Sequence, residues 1–238
     1  MSHKQFQLDE NTSVTIYKRH ASRNLKLSVS ADGEVRVSIP RWASYAAGLD
    51  FARSRQAWIS RQQRPITALH DGMAIGKAHH LRFVPTSSAK PTARQKGSEV
   101  TIYYPFELDL NDSKLQSMAE AACERALRQQ AEQLLPDRVA DLAKQHGFNY
   151  RSVSIKKLKS RWGSCDQHKN IVLNLYLMNL PWELIDYVIL HELTHTNVLR
   201  HGPDFWTALE AKAPTAKQAR RAIRAFRPTV WPIANEAL

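Results

Sequence analysis

The sequence predicts an α+β protein, with a β-rich first part and a helical second part. Three observations carry this: alternating apolar residues in the first hundred positions, a sharp rise in Ala, Gln, Glu and Leu after Asn111, and apolar residues at helical spacing before His195. The organisation expected is residues 1–111, a β-rich region with one helix, followed by a second domain over residues 112–238.

Val14 and Ile16 alternate with Thr15 and Tyr17, as in a half-buried strand. Leu25, Leu27 and Val29 share one face, as do Val35, Val37 and Ile39, with Asp32-Gly33 supplying a hairpin turn between them. Pro40 ends that ladder, having no N–H to donate. From Ser44 to Gln63 the period changes: Leu49, Ala52, Gln56 and Ile59 lie near one face of an amphipathic helix. Arg53, Arg55, Arg61 and Arg64 give it a basic flank, and Pro65 ends it. Short strands return at His80–Val84 and Val100–Tyr104, with a loop over Pro85–Gly97. Asp112 or Ser113 caps a helix from Lys114 to Leu135; Pro136 is expected to break or restart it before His146-Gly147. Val153–Leu158 and Ile171–Leu175 are strands around Arg161-Trp162-Gly163-Ser164-Cys165-Asp166. No internal repeat is evident.

Pro181 opens the central helix, and Glu183 suits its positive end. Leu184, Val188, His191 and His195 form one stripe, Ile185, Ile189 and Leu193 a second, so the helix is buried and its histidines point inward. Histidines four apart project about 40° apart, so both can reach one metal ion. Glu192 stands beside the first, where a carboxylate can take a proton from metal-bound water. His201 reaches the same ion only if the helix stops and the chain folds back. Asn197 can adopt a left-handed helix-ending conformation, and Gly202-Pro203 forbids simple continuation. Three histidines and a water make an open, catalytic-type zinc site; Glu210 or Asp204 is an alternative third ligand. Three histidines favour zinc over magnesium or calcium.

No apolar run approaches the roughly 20 residues that cross a bilayer, so no membrane partner is expected. The N-terminus lacks the apolar core of a secretory signal, and Cys123 and Cys165 build no disulfide framework, which together suggest the cytoplasm. The net charge of +12 favours polyanionic partners or simply a soluble surface. Lys217, Arg220, Arg221, Arg224 and Arg227 recur at helical spacing and, with Lys156, Lys157 and Lys159, offer contacts for a nucleotide or nucleic acid; a solvated helix face explains them slightly better.

Four motifs occur in order: Lys159-Ser160-Arg161-Trp162-Gly163-Ser164-Cys165; Asn170-Ile171-Val172-Leu173-Asn174; Ile185 through His191-Glu192-Leu193-Thr194-His195; and His201-Gly202-Pro203-Asp204-Phe205-Trp206. Together they resemble the YgjP-like metallopeptidase family, itself similar to the SprT-like and WLM zinc peptidases. The resemblance implies a zincin-like C-terminal domain with an active-site helix and a small sheet, preceded by a β-rich region. It implies His191, His195 and His201 as zinc ligands and Glu192 as catalytic base. The histidine spacing matches that of metzincins, but Val198 stands where those have glycine, which places the chain outside that group. Arg161 is a candidate substrate or oxyanion contact, or else the segment is a strand bend with Trp162 in the core. Asn197 is a candidate for orienting a ligand besides ending the helix. Cys165 reads as a buried inert thiol rather than a ligand or redox brake, and Phe205 and Trp206 as core.

The expected function is a zinc-dependent metallopeptidase, in which water on zinc, activated by Glu192, attacks a peptide carbonyl. One alternative is a metal-dependent nucleotide phosphoanhydride hydrolase of pyrophosphatase type, although the chain has no glycine-rich phosphate loop. A nucleic-acid-associated protein-processing module is another, motivated by charge.

Overall fold

The computed structural model describes residues 3–9, 12–20, 22–30, 33–62 and 68–231, with residues 61 and 62 as backbone only. The predicted turn residue Asp32, the helix-ending Pro65, Arg64 and the side chain of Arg61 lie outside these. The chain forms two compact units, Met1–Thr67 and Ala68–Leu238.

In the first unit, β1 (His3–Gln7), β2 (Ser13–Arg19), β3 (Lys26–Val29) and β4 (Val35–Pro40) form a sheet in the order β1-β2-β4-β3. β2 and β4 run parallel and the outer pairs antiparallel. Val14, Ile16, Val35, Val37 and Ile39 are fully buried, so the alternation read in the sequence is the core face of this sheet. Helix α1 (Tyr45–Arg53) covers that face, its Ser44 cap accepting the Ala47 N–H at 3.1 Å. It approaches so closely that a Cβ on Gly48 would lie 3.0 Å from Ile16 Cγ2. The expected single helix is two: the chain turns at Ser54-Arg55 before α2 (Gln56–Gln62). The Ser54 hydroxyl bonds back to the Phe51 carbonyl at 2.9 Å, a local bond that competes with the helical ladder.

The second unit opens with β5 (Ala74–Ile75), β6 (His79–Thr86), β7 (Thr92–Lys96) and β8 (Glu99–Pro105), in the order β5-β6-β8-β7. β6 and β8 are parallel and the outer pairs antiparallel, so the two sheets share one topology. This repeat lies in strand order and has no counterpart in a sequence motif. Strand β7 occupies part of the expected Pro85–Gly97 loop. It is almost wholly exposed and polar, so it carries no apolar alternation; its partner β8 and the turn at Gly97 (φ 58°) create it.

Helix α3 (Ser113–His146) begins on Asp112, whose carboxylate accepts the N–H groups of Lys114 (2.9 Å) and Leu115 (3.0 Å). Pro136 lies within it without breaking it, contrary to expectation. A proline inside a helix costs about 3 kcal/mol. Here Ala131, Leu135 and Val139 around it are fully buried, and that packing outweighs the lost bond. Gly147, at φ 71°, ends the helix. Leu69, Ile75, Leu81, Phe83, Val100 and Ile102 share one core with α3 and the later helices. The unit boundary by contacts therefore falls at Thr67/Ala68 rather than near residue 111, where composition changes because strand gives way to helix.

The remaining elements are β9 (Ser152–Lys156), β10 (Gly163–Cys165), β11 (Asn170–Asn174), a 3-10 turn (Leu175–Asn179), α4 (Trp182–His195), α5 (Pro203–Lys212) and α6 (Ala216–Ile223). The sheet order β10-β11-β9 leaves β10 at an edge. A forked pair from Arg138 to Asp186, at 2.7 and 2.5 Å, ties α3 to α4. The fold is mixed α+β, with small sheets and six helices among the described residues. None of those helices is long and apolar enough to cross a membrane.

Candidate metal centre

Helix α4 is buried along most of its length, with Ile185, Ile189 and Leu193 fully inaccessible. Its second half therefore delivers His191 and His195 from a rigid base. The helix ends at Thr196, in right-handed geometry (φ −65°), with the Thr194 and Thr196 hydroxyls bonding back to the Leu190 and Leu193 carbonyls at 2.7 Å each. Asn197 does not take the predicted left-handed conformation: Lys169 alone among described non-glycine residues has positive φ. Asn197 is exposed, and its backbone N–H bonds to the Thr194 carbonyl. The chain then folds back, and Gly202-Pro203 starts α5.

That reversal brings His201 to the other two histidines. Its Nε2 lies 3.1 Å from His195 Nε2 and 3.0 Å from His191 Nε2. Three nitrogens ligating one tetrahedral zinc at about 2.0–2.1 Å would stand roughly 3.3 Å apart, so the triad fits an ion with little adjustment. His195 Nδ1 is 3.1 Å from the Val198 carbonyl, which fixes the tautomer and turns the Nε2 lone pair inward. The carbonyl of Val198, rather than Asn197, thus orients this imidazole. His191 Nδ1 is buried and without a hydrogen-bond partner. Among the described residues the convergent metal-ligating group is His191, His195 and His201. Asp204 is exposed, and Glu210 is paired with Lys217 at 3.1 Å.

Glu192 points toward β10. A cleft of about 200 Å³ is lined by Arg161, Trp162, Gly163, Tyr187, Val188, His191, Glu192 and Ile223. The Arg161 segment therefore reaches the histidine site. Its position is set by Asn174, fully buried, which donates to the Leu158 and Arg161 carbonyls at 2.8 Å each. The Asn174 N–H also bonds to the Trp162 carbonyl at 2.9 Å. Asn174 belongs to a motif noted in the sequence, but its role required knowing which loop it faces.

Burial pushes His191 down to about 3, with His195, His201 and Arg220 adding to the effect. Burial also lowers His195. Both imidazoles are therefore neutral near pH 7 and offer lone pairs to a cation. Burial raises Glu192 to about 8, against a downward pull from Arg161. The Cys165 thiol is pushed up to about 11 by burial and by Glu192 and Asp166, so it stays protonated and inert. Phe205 is fully buried, as expected of core, but Trp206 is not purely core: its ring stacks on His201 at 5.6 Å and 19°.

The YgjP-like, metallopeptidase domain profile matches residues 23–226. The chain belongs to the YgjP-like metallopeptidase family. It is accordingly a metal-dependent hydrolase, and the family implies a peptide or protein substrate. Among solved structures, it is similar to the metallopeptidase zymogen of Methanocaldococcus jannaschii jannalysin, at 27% identity and a TM-score of 0.34, over 37% of this chain and 92% of that one. It is similar also to the metallopeptidase zymogen of Pyrococcus abyssi abylysin, at 24% identity and a TM-score of 0.36, over 41% of this chain and 100% of that one. No curated protein matches the sequence.

Proposed function

We propose that the protein is a zinc-dependent metallopeptidase with His191, His195 and His201 as ligands and Glu192 as general base. The observation that carries this reading is the meeting of three imidazole nitrogens, at 3.0 and 3.1 Å, next to a buried carboxylate in an open cleft. Imidazole donors suit zinc rather than harder cations, and three protein ligands leave a position for chemistry. When bound, zinc supplies a Lewis acid that acidifies a water and polarises a carbonyl oxygen. Glu192 takes the proton as water adds to the scissile carbon and delivers it to the departing amine nitrogen. Burial raises its pKa, so the ionised form that a base needs depends on the positive charge beside it, from Arg161 and from a cation held by the triad. Arg161 lines the same cleft, which supports a role for it in meeting an oxygen that gains negative charge. Strand β10, at a sheet edge, leaves backbone groups with which an extended peptide can pair. The buried thiol of Cys123 and the protonated Cys165, both unpaired, suit a reducing cytoplasm.

The test is Glu192→Gln in zinc-loaded protein, assayed on casein and on nucleoside triphosphates side by side. Metal content by elemental analysis should be retained while casein cleavage is lost. Undiminished turnover removes Glu192 from the mechanism. Phosphate or pyrophosphate release without peptide cleavage overturns the peptidase reading.

A further inference from the structure

We propose that Trp206 is the positioning residue of the third histidine: it stacks on His201, and Arg220 of α6 in turn holds the tryptophan ring. This rests on the reading of His201 as a zinc ligand. His191 and His195 stand on the rigid second half of α4, and His195 is also turned by the Val198 carbonyl at 3.1 Å. His201 has neither support. It is exposed and comes from the turn before α5. Its polar contacts, at 3.0 and 3.1 Å, both use Nε2, the atom a metal would take. Among the described residues its Nδ1 has no protein hydrogen-bond partner. A ring so placed needs another contact to fix its rotation, because a ligand that must first be ordered binds more weakly.

The following helix supplies that contact. Gly202 caps α5 and Pro203 opens it, so His201 precedes the cap and Trp206 is the fourth helical residue. Side chains at those two positions pack together in a hydrophobic staple, which fixes the angle at which a chain enters a helix. Here the staple is aromatic, with the rings 5.6 Å apart at 19°. Rotating the imidazole away from this near-parallel arrangement loses ring overlap. Phe205 also meets His201, but at 76°, and it touches His191 and His195 at 4.8 and 4.4 Å as well. It therefore supports all three histidines alike. Trp206 reaches His191 only at 6.1 Å and 55°, so its stacking singles out His201.

Trp206 is half-buried, and the Arg220 Cζ lies 3.8 Å from its ring centroid. Glu210, the acidic neighbour in the same surface depression, is taken by Lys217 at 3.1 Å. Among the described residues Arg220 makes no ion pair, so the cation–π contact is what holds guanidinium and ring together. Helix α6 thereby reaches the metal centre through a single side chain of α5. Two roles for Arg220 predict opposite signs. As a bare positive charge it opposes a divalent ion on the triad. As a brace on Trp206 it favours the ion by keeping His201 in place.

The test measures the zinc affinity of the full chain by competition with a chromophoric chelator. The visible spectrum of the cobalt-substituted protein and the melting temperature of the zinc-free protein are followed alongside. Trp206→Leu should weaken zinc by about 10–100-fold, the scale for a side chain that orients a ligand, and should shift the cobalt bands. Trp206→Phe, which keeps a ring, should restore most of the affinity. Arg220→Gln should weaken zinc several-fold, the scale of one exposed cation–π contact, and Arg220→Lys should recover part of it. In the Trp206→Leu background Arg220→Gln should have no further effect, since it acts through the ring. Wild-type affinity and cobalt spectrum in Trp206→Leu overturn the proposal, as does a Trp206→Phe variant as weak as Trp206→Leu. If Trp206→Leu lacks a melting transition, Arg220→Gln on the exposed side of α6 decides: unchanged or tighter zinc binding overturns the proposal. Unchanged affinity in His201→Ala is a separate result, which overturns the ligand reading itself.

Discussion

Gly163 and Glu192 lie against each other so closely that a Cβ on the glycine would fall 2.8 Å from both Cγ and Oε1 of the glutamate. Gly163 needs no unusual backbone conformation; its hydrogen is required by space alone. The edge strand and the active-site helix thus meet at an atom-sized gap that only glycine leaves open. Gly163→Ala should push the Glu192 carboxylate aside while leaving the three histidines in place. The expected result is a fall in kcat of at least about tenfold, because a displaced base loses part of the 10²–10⁴-fold that general catalysis contributes. Metal content should be unchanged. Wild-type kcat in this variant would show that Glu192 tolerates displacement.

His201 is the exposed member of the triad and is delivered by a turn rather than by α4. Outer-shell partners of a metal site already cost about 10–100-fold in affinity when removed. His201→Ala should therefore weaken zinc by more than about a hundredfold in a chelator competition. An unchanged dissociation constant would place the third ligand elsewhere.

Asn174 connects the core to the Leu158–Trp162 loop through its two 2.8 Å side-chain bonds. Asn174→Ala leaves two carbonyls without their donor and should lower stability by about 2–4 kcal/mol in urea unfolding. Asn174→Asp should be at least as harmful, since a carboxylate cannot donate to either carbonyl. A near-wild-type midpoint for both would mean that the loop is anchored by other contacts.

His79 provides a pH signature away from the metal centre. Its ring is buried between two amides, with Nδ1 2.7 Å from Gln130 Nε2 and Nε2 2.9 Å from Gln95 Nε2. Burial lowers its pKa, a bond to Gly97 opposes this, and His80 adds to it. In the unfolded chain the group titrates near 6.5. Between that value and the lower folded one, the unfolded state holds more protons, so stability is full above about pH 6.5 and falls as the pH drops below it. Melting temperature followed from pH 8 to 5 should show this decline, and His79→Gln should flatten it. An identical decline in the variant would assign it to other groups.

Much of the architecture was legible because it is written in local periods. The alternation of Val14 with Ile16 and of Val35 with Val37 is the buried face of a sheet, and the two apolar stripes of α4 mark a helix buried on two sides. The polar strand β7 and the uninterrupted α3 were not legible. β7 exists through its partner β8, and α3 crosses Pro136 because the surrounding core outweighs a missing hydrogen bond. The position of the division between units was hidden for the same reason: composition reports a change of secondary structure, whereas the shared core of β5–β8 with α3 depends on contacts distant in the chain.

At the site the same distinction holds. The sequence by itself determined that His191 and His195 share a helix face, that Glu192 stands beside them, and that the helix stops before His201. Helical geometry dictates the first two from spacing alone, and Gly202-Pro203, rather than Asn197, marks where the helix cannot continue. Tertiary structure decided that the three Nε2 atoms meet, that Val198 rather than Asn197 orients His195, and that Gly163 makes room for Glu192. It also decided that Trp206 carries Arg220 on its face next to His201. Each of these is a through-space contact between separate segments, and no local period in the chain encodes the distance at which two such segments come to rest.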